Sequence, residues 1–297
     1  ATVAITTGNG DDTVKIGGAT DTNDDITLTL GTGTNTLDLS AGADYKAGTW
    51  SVDGLDVIKI GDTNGTDATV DSTLVDGKDY SVESTSTGGT VQSLLGVTMQ
   101  GTNTTFDGSS LSIANTIDGA VKGLNITGTT SADTITGSEG DDSIALGNAD
   151  TKADTVIFAA TAALNGADTI TQFEAGASKD VLDFSAMTLD GTAGYDTATA
   201  TTDVIALSAS KFITVTDASA DDVKAGALTV MNAAIDTTGT VTGNTLIAVQ
   251  TNSGNLDIYS YVDDANAAAI ETDEITLVGT LNSVTAASVV EGNFTVA

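Results

Sequence analysis

Short runs in which apolar and polar residues alternate recur along the chain, separated by turns rich in glycine and aspartate. Two examples are "TWSVDGLDVIKIGD" (49–62) and "TLVDGKDYSVES" (73–84). A period of two residues is typical of half-buried β-strands, and Asp-Gly pairs favour tight turns. Later, residues 244–264 predict two strands around Ser253-Gly254, and residues 273–297 predict a final strand and tail. The pattern therefore predicts an all-β protein.

Helical spacing of apolar residues stands out in one late segment, "SADDVKAGALTVMNAAI" (219–235). Ser219 is in position to cap its N-terminus, and Asp221 and Asp222 fall in its first turn. A second, shorter Ala-rich helix is predicted at 264–271. We expect both helices to pack against the sheets rather than to form binding faces.

A nine-residue repeat is the strongest signal of organisation. It occurs as "TGNGDDTVK" (7–15), "GTTSADTIT" (128–136) and "GSEGDDSIA" (137–145), with Asp at the sixth position and Val or Ile two residues later. The last two copies are contiguous, so Asp133 and Asp142 occupy equivalent positions, as do Ile135 and Ile144. Glycine lets the backbone turn tightly, Asp supplies a hard anionic oxygen, and the apolar residue starts a short inward-facing strand.

These repeats resemble the calcium-binding repeats-in-toxin proteins that bacteria export by type I secretion. The resemblance implies a parallel β-roll or β-solenoid with calcium-binding turns, capped by a C-terminal β-rich domain with one or two short helices. It is weaker in "LGTGTNTLD" (30–38), where Asn35 replaces the Asp, in 17–28, which matches only with insertions, and in 147–158, which carries three extra residues. Ser138 and Thr7 stand at positions that are glycine in the family repeat.

The resemblance also implies several bound calcium ions, each held between turns of successive coils. The residues that it places in calcium-binding turns are Asn9, Asp11, Asp12, Asp24, Asp25, Asn35, Asp133, Gly140, Asp142, Asp150, Asp154, Asp168 and Asp180.

Composition agrees with a cation-loaded fold. The 297 residues include 41 acidic and 9 basic side chains, for a formal net charge of -32. Self-repulsion of that size opposes compaction unless cations neutralise it, and it disfavours binding to nucleic acid or anionic lipid. We therefore expect the chain to stay unfolded in a calcium-poor cytosol and to fold outside the cell. Aromatic residues make up only 4% of the chain, so the core is expected to consist of Val, Ile, Leu and Ala.

Absent residue types exclude several kinds of site. The chain has no cysteine and no histidine, which excludes disulfides, thiolate metal sites and His-ligated zinc. "SASK" (208–211) lacks the companion motifs of a serine β-lactamase, and the adjacent pairs Asp11/Asp12 and Asp141/Asp142 suit metal ligation better than glycoside hydrolysis. We expect a protein that is not an enzyme. The sequence contains no run of about 18 apolar residues, so it predicts no membrane helix.

The C-terminal part extends the resemblance. "GADTITQFEAGASKDVLDFSAM" (166–187) resembles the segment that closes such rolls, with a hairpin or coil turn at 174–179. The hydroxyl-rich, apolar tail resembles an uncleaved type I secretion signal. These features predict three regions: a solenoid-like region with degenerate calcium repeats (1–123), a calcium-binding β-roll (124–190), and a β-rich cap with the secretion region (191–297).

Among calcium-roll proteins, the high Thr, Ala and Gly content and the lack of a catalytic signature resemble bacterial surface-layer proteins. That resemblance implies a secreted structural subunit that assembles with itself at the cell surface, with a cell-surface polysaccharide as a further partner through another region. An alternative is the calcium-folded export module of a larger secreted adhesin or hydrolase. A third hypothesis is an ice- or surface-binding solenoid with Thr ladders, prompted by "ITLTLGTGTNTLDLS" (26–40).

Overall fold

The structure is a computed structural model that describes most of the chain. The described residues are 2–17, 25–45, 49–61, 65–84, 93–114, 116–117, 120–147, 151–191, 193–199, 205–206, 210–220, 224–236, 244–262 and 269–297. The chain divides into two compact units, unit 1 (1–147) and unit 2 (148–297). The three predicted regions, with boundaries at 123 and 190, stay a prediction.

The prediction of an all-β protein is confirmed, since strands dominate both units. The strands of unit 1 are β1 (Thr2–Thr6), β2 (Thr13–Lys15), β3 (Asp25–Thr29), β4 (Thr36–Asp38), β5 (Asp44–Tyr45), β6 (Trp50–Asp53), β7 (Val57–Ile60), β8 (Gly65–Asp71), β9 (Ser81–Ser84), β10 (Ser93–Thr98), β11 (Thr105–Asp107), β12 (Ser112–Ile113), β13 (Thr116–Ile117), β14 (Ala120–Thr127), β15 (Thr134–Thr136) and β16 (Asp141–Ala145).

Unit 2 combines strands with the one α-helix found in the described residues. Its elements are β17 (Thr155–Ile157), β18 (Asp168–Thr171), β19 (Val181–Asp183), β20 (Ala193–Thr199), β21 (Ile205–Ala206), β22 (Ser210–Ala220), α1 (Lys224–Ala234), β23 (Ile235–Asp236), β24 (Asn244–Thr251), β25 (Leu256–Val262), β26 (Ile275–Leu281) and β27 (Phe294–Thr295).

Among the described strands of unit 1 the pairing is parallel, except that β13 lies antiparallel to β14. Four sets of strands pair in the orders β1-β3-β6, β2-β4-β7-β9-β12, β5-β8-β10-β14-β16 and β11-β15. Near the N-terminus, hydrogen bonds between neighbouring strands and turns join residues 21 to 24 positions apart. Each passage of the chain therefore lies directly beside the previous one.

Because successive passages are in register, aliphatic side chains stack on one another. One such ladder runs across β2, β4, β7, β9 and β12. Its members, all buried, are Val14, Leu37, Ile58, Val82 and Ile113. Equivalent inward positions thus need equivalent small aliphatic residues, which explains how unit 1 forms a core with few aromatic side chains.

In unit 2 the parallel pairing gives way to antiparallel strands. β20, β22 and β24 are parallel, whereas β25 lies antiparallel to both β24 and β26. The turn at Ser253-Gly254 joins β24 to β25, as the sequence predicts. β18 and β19 pair with different strands, so residues 174–179 form a coil turn rather than a hairpin.

The helix begins later than predicted. Ser219 lies in β22, and Ala220 of the same strand pairs with Thr251 of β24, so the prediction that Ser219 caps the helix is wrong. Sheet pairing over a long β-branched strand outweighs the local capping signal. The segment containing Asp221 and Asp222 and most of the predicted helix at 264–271 lie outside the described residues, and residues 269–271 are not helical.

Aromatic side chains, scarce in the chain, gather in unit 2. The Phe158 and Phe184 rings stack with centroids 4.3 Å apart, and the Phe212 and Phe294 rings stack at 3.9 Å. Phe212 also lies 6.1 Å from both Phe184 and Tyr195, so it joins the two stacks. The ring of Phe294 ties the C-terminal strand β27 into this core.

We predict that Phe212→Leu lowers the free energy of unfolding by about 1–2 kcal/mol, because the ring contacts are lost and a small void remains. Urea unfolding followed by far-UV circular dichroism measures the change. Val262→Ala is the control, since Val262 is 51% exposed and its truncation should change stability by less than about 0.5 kcal/mol. Equal effects of the two substitutions would contradict a structural role for the aromatic stack.

Candidate cation-binding turns

The contiguous repeats at 128–136 and 137–145 form two turns closed by the same hydrogen bonds. The backbone N–H of Thr129 donates to Asp133 Oδ2 at 2.6 Å, and that of Ser138 donates to Asp142 Oδ2 at 2.7 Å. The two hydroxyls donate to the other carboxylate oxygen, at 2.8 Å for Thr129 and 2.9 Å for Ser138. We call residues 128–133 and 137–142 the hydroxyl-closed turns, because the hydroxyl at the second position donates a hydrogen bond to the Asp at the sixth.

Each hydroxyl also accepts a hydrogen bond from within its own turn. Ser131 N–H donates to Thr129 Oγ1 at 3.0 Å, and Gly140 N–H donates to Ser138 Oγ at 3.3 Å. The hydroxyl therefore connects the turn backbone to the carboxylate. Gly140, predicted to contribute to a calcium-binding turn, uses its N–H in this way.

The first position of a hydroxyl-closed turn requires glycine for steric reasons. A Cβ atom on Gly137 would lie 2.2 Å from Asp142 Oδ2, and one on Gly128 would lie 2.8 Å from Asp133 Oδ2. The carboxylate thus occupies the space that a side chain would need. The glycine of the repeat is explained by this packing.

Asp142 is buried, with 2% of its surface exposed. Besides Ser138, the N–H of Leu124 on the preceding passage of the chain donates to its Oδ1 at 2.5 Å. Burial raises the pKa of Asp142 to about 7, with Asp141 contributing in the same direction, whereas the hydrogen bonds from Leu124 and Ser138 lower it. Burial therefore disfavours the ionised form of the Asp142 carboxyl group, whereas the hydrogen-bond donors around it favour that form.

The N-terminal repeats form a different kind of turn, with glycine at the second and fourth positions. A Cβ on Gly31 would lie 1.9 Å from Gly8 O, and one on Gly33 would lie 2.4 Å from Gly10 O. Gly33 also has a φ of +132°, which disfavours any side chain. We call residues 7–12 and 30–35 the glycine turns; their backbones stack in direct contact.

Asn35 holds the second glycine turn together through its amide. Its Oδ1 accepts from Asp12 N–H at 3.1 Å, and its Nδ2 lies 2.8 Å from Gly54 O and 3.2 Å from Leu30 O. The residue is fully buried. Both ends of the side chain are therefore satisfied by protein groups, and the amide N–H points at carbonyl oxygens of the kind that bind a cation.

The first glycine turn contains polar atoms that are not satisfied. Asp12 Oδ2 and Thr7 Oγ1 are both buried and have no hydrogen-bond partner among the described residues. The two other such atoms in the described chain, on Thr214 and Thr245, lie in strands of unit 2. Leaving a buried carboxylate oxygen unpaired is unfavourable, and a hydrogen-bond donor or a bound cation beside it would remove that cost.

Neighbouring residues reinforce the first glycine turn. Asp11 Oδ1 accepts from Thr34 N–H at 2.8 Å, and Asn9 Oδ1 accepts from the Thr32 hydroxyl at 3.1 Å. Asp25, also predicted as a ligand, accepts from the hydroxyl of Thr49 at 2.6 Å. These oxygens join adjacent passages of the chain.

In unit 2, Asp180 resembles the aspartates of the hydroxyl-closed turns. It accepts from Asp154 N–H at 3.0 Å and from Glu174 N–H at 2.6 Å. Burial raises the pKa of its carboxyl group, opposed by these two backbone hydrogen bonds. Asp154 and Asp168 are also buried. Asp24 and Asp150 lie outside the described residues.

A second amide closure was not anticipated from the sequence. Asn293, beside the C-terminus, donates to Gly176 O at 3.1 Å and to Asp180 O at 2.7 Å, and its Oδ1 accepts from Gly176 N–H at 2.9 Å. The sequence signal is an Asn directly before a strand, as at Asn35, which is too short to identify alone. The hydroxyl-closed turns have a clearer signal in the sequence, which is a Ser or Thr four residues before an Asp.

No group of three or more acidic, histidine or cysteine side chains able to hold a metal ion is formed by the described residues. The predicted aspartates are instead distributed one or two to a turn. A site at any of them would have to draw on backbone carbonyl oxygens and hydroxyls, as calcium sites commonly do.

Comparisons with known proteins identify no relative: no protein-family profile, curated protein or solved structure matches the chain. Within the described residues, no helix is long and apolar enough to cross a membrane.

We predict that Asn35→Ala lowers the free energy of unfolding by about 2–3 kcal/mol, because buried N–H and C=O groups lose their partner. Trp50, the single tryptophan, is buried in β6 beside Ile26, so its fluorescence during urea unfolding reports on this part of unit 1. Thr34→Ala is the matched control, since the adjacent side chain is exposed. A variant as stable as this control would show that the amide contacts contribute little.

Proposed function

We propose that the protein is a calcium-binding structural subunit of a self-assembling bacterial surface layer, built as a β-roll and assembled outside the cell. The observation that carries the proposal is the pair of unpartnered buried oxygens, Asp12 Oδ2 and Thr7 Oγ1, in an acidic turn of a parallel β-stack. Hydroxyl, carboxylate and carbonyl oxygens are the ligands that calcium prefers.

The charge of the chain supports a role for divalent cations beyond this turn. With a formal net charge of -32, copies of the chain repel one another at low ionic strength. Calcium bound at or between acidic surfaces lowers that repulsion. Assembly would then require the same ion that completes the fold.

The alternative function, a calcium-folded export module of a larger secreted adhesin or hydrolase, shares the calcium-dependent fold but not the assembly. Light scattering distinguishes the two while calcium rises from chelated conditions to about 10 mM, above the dissociation constants of weak extracellular modules. Growth into ordered sheets, seen by negative-stain microscopy, supports the surface-layer proposal. Compaction to a stable monomer supports the export module instead.

We predict that Asp12→Ala weakens the calcium dependence of folding, because it removes the unpartnered carboxylate oxygen. Circular dichroism during a calcium titration should show the midpoint moving to at least about tenfold higher calcium, the change expected for losing one charged ligand. Asp79→Ala is the matched control, since it removes the same charge from an exposed position. If both variants titrate alike, general charge screening and not this turn governs the response.

A further inference from the structure

We infer that the hydroxyls of Thr129 and Ser138 close their turns in place of a bound cation, so that residues 124–147 hold their structure without calcium. The inference rests on the proposed function for its contrast with the first glycine turn. It divides unit 1 into turns that need a cation and turns that carry their own substitute. It also makes the second position of the repeat the residue that determines which kind of turn forms.

The donors around Asp142 are the first step. Ser138 supplies two of them, its N–H at 2.7 Å to one oxygen and its hydroxyl at 2.9 Å to the other, and Leu124 N–H supplies a third at 2.5 Å. A cation that took these oxygens as ligands would have to displace donors that are themselves buried. Two backbone N–H groups and a hydroxyl would then lose their acceptor, an outcome that opposes metal binding.

The second step is that the same arrangement occurs twice. Thr129 repeats the N–H and hydroxyl bonds to Asp133, at 2.6 and 2.8 Å, in the preceding nine-residue repeat. Ser and Thr share a hydroxyl and little else at this position. Two independent occurrences with two different residues identify the hydroxyl as the group that matters.

The third step is the contrast with the first glycine turn. There the second residue, Gly8, has no side chain to donate, and the sixth residue, Asp12, retains a buried oxygen without a partner. Asn35 solves the same problem differently, since its amide donates where a cation would otherwise bridge carbonyl oxygens. The hydroxyl, the amide and the proposed cation therefore meet the same requirement. Each places a hydrogen-bond donor or a positive charge at the centre of its turn.

Hydrogen exchange of the full-length chain, resolved by peptide mass spectrometry, tests the inference with and without a calcium chelator. In the unsubstituted protein, chelation should accelerate exchange in residues 2–17 and leave residues 124–147 unchanged. Ser138→Ala should raise exchange in 137–145 by about tenfold even with calcium present, because one charge-assisted hydrogen bond is lost. Ser138→Thr should restore the protection, and Ser143→Ala, a change in strand β16 after the turn, should have no effect.

Two results would overturn the inference: acceleration in 124–147 on chelation to the extent seen in 2–17, or unchanged protection of 137–145 in Ser138→Ala. If calcium alters no segment at all, the proposed calcium-dependent function fails. Closure by the hydroxyls is then still decided by Ser138→Ala against Ser138→Thr. The two failures are thus separate readings of one experiment.

Discussion

A carboxylate or amide buried inside a tight turn must find partners for both of its polar atoms, and the turns of unit 1 are organised by that constraint. Parallel passages of the chain lie close enough for the turn backbones to touch, which removes water from the turn interior. Water is excluded from the sixth-position side chains of Asn35, Asp133 and Asp142 and from one carboxylate oxygen of Asp12. Its partners must come from the preceding passage, from the same turn or from a bound ion.

This constraint explains why sequence variation within the repeat is correlated. Where the first residue is glycine, the carboxylate fills the space of the missing Cβ, and a hydroxyl at the second position completes its hydrogen bonds. Where the second residue is glycine, the turns stack directly, and the sixth residue is either Asn35, which is satisfied, or Asp12, which is not. A substitution at one position is therefore tolerated only with a matching residue at another.

The sequence predicted those parts of the structure that depend on local periodicity. Asp133 and Asp142, nine residues apart, occupy equivalent turns, and Ile135 and Ile144 are both fully buried. It could not predict the partners, because Leu124, Asp12 and Gly54 approach through strand register rather than sequence spacing. Ser138 looked like a departure from the glycine pattern of the resembled family, although its hydroxyl has a defined structural role. The aromatic stack of unit 2 was also missed, since its members are far apart in sequence and follow no period.

The start of helix α1 was also predicted wrongly because local sequence does not reveal pairing with a distant strand. Ser219 has the local chemistry of an N-cap, yet the strand that contains it continues to Ala220, where it pairs with β24. A cap contributes about 1 kcal/mol, whereas continuing β22 to Ala220 adds backbone pairing with β24. Local signals are thus reliable in this chain where successive passages repeat them, as in the nine-residue repeats. They are outweighed where a residue pairs with a strand that is distant in sequence. The hydrogen-bond partners of the buried carboxylates are likewise determined by the neighbouring passage of the chain.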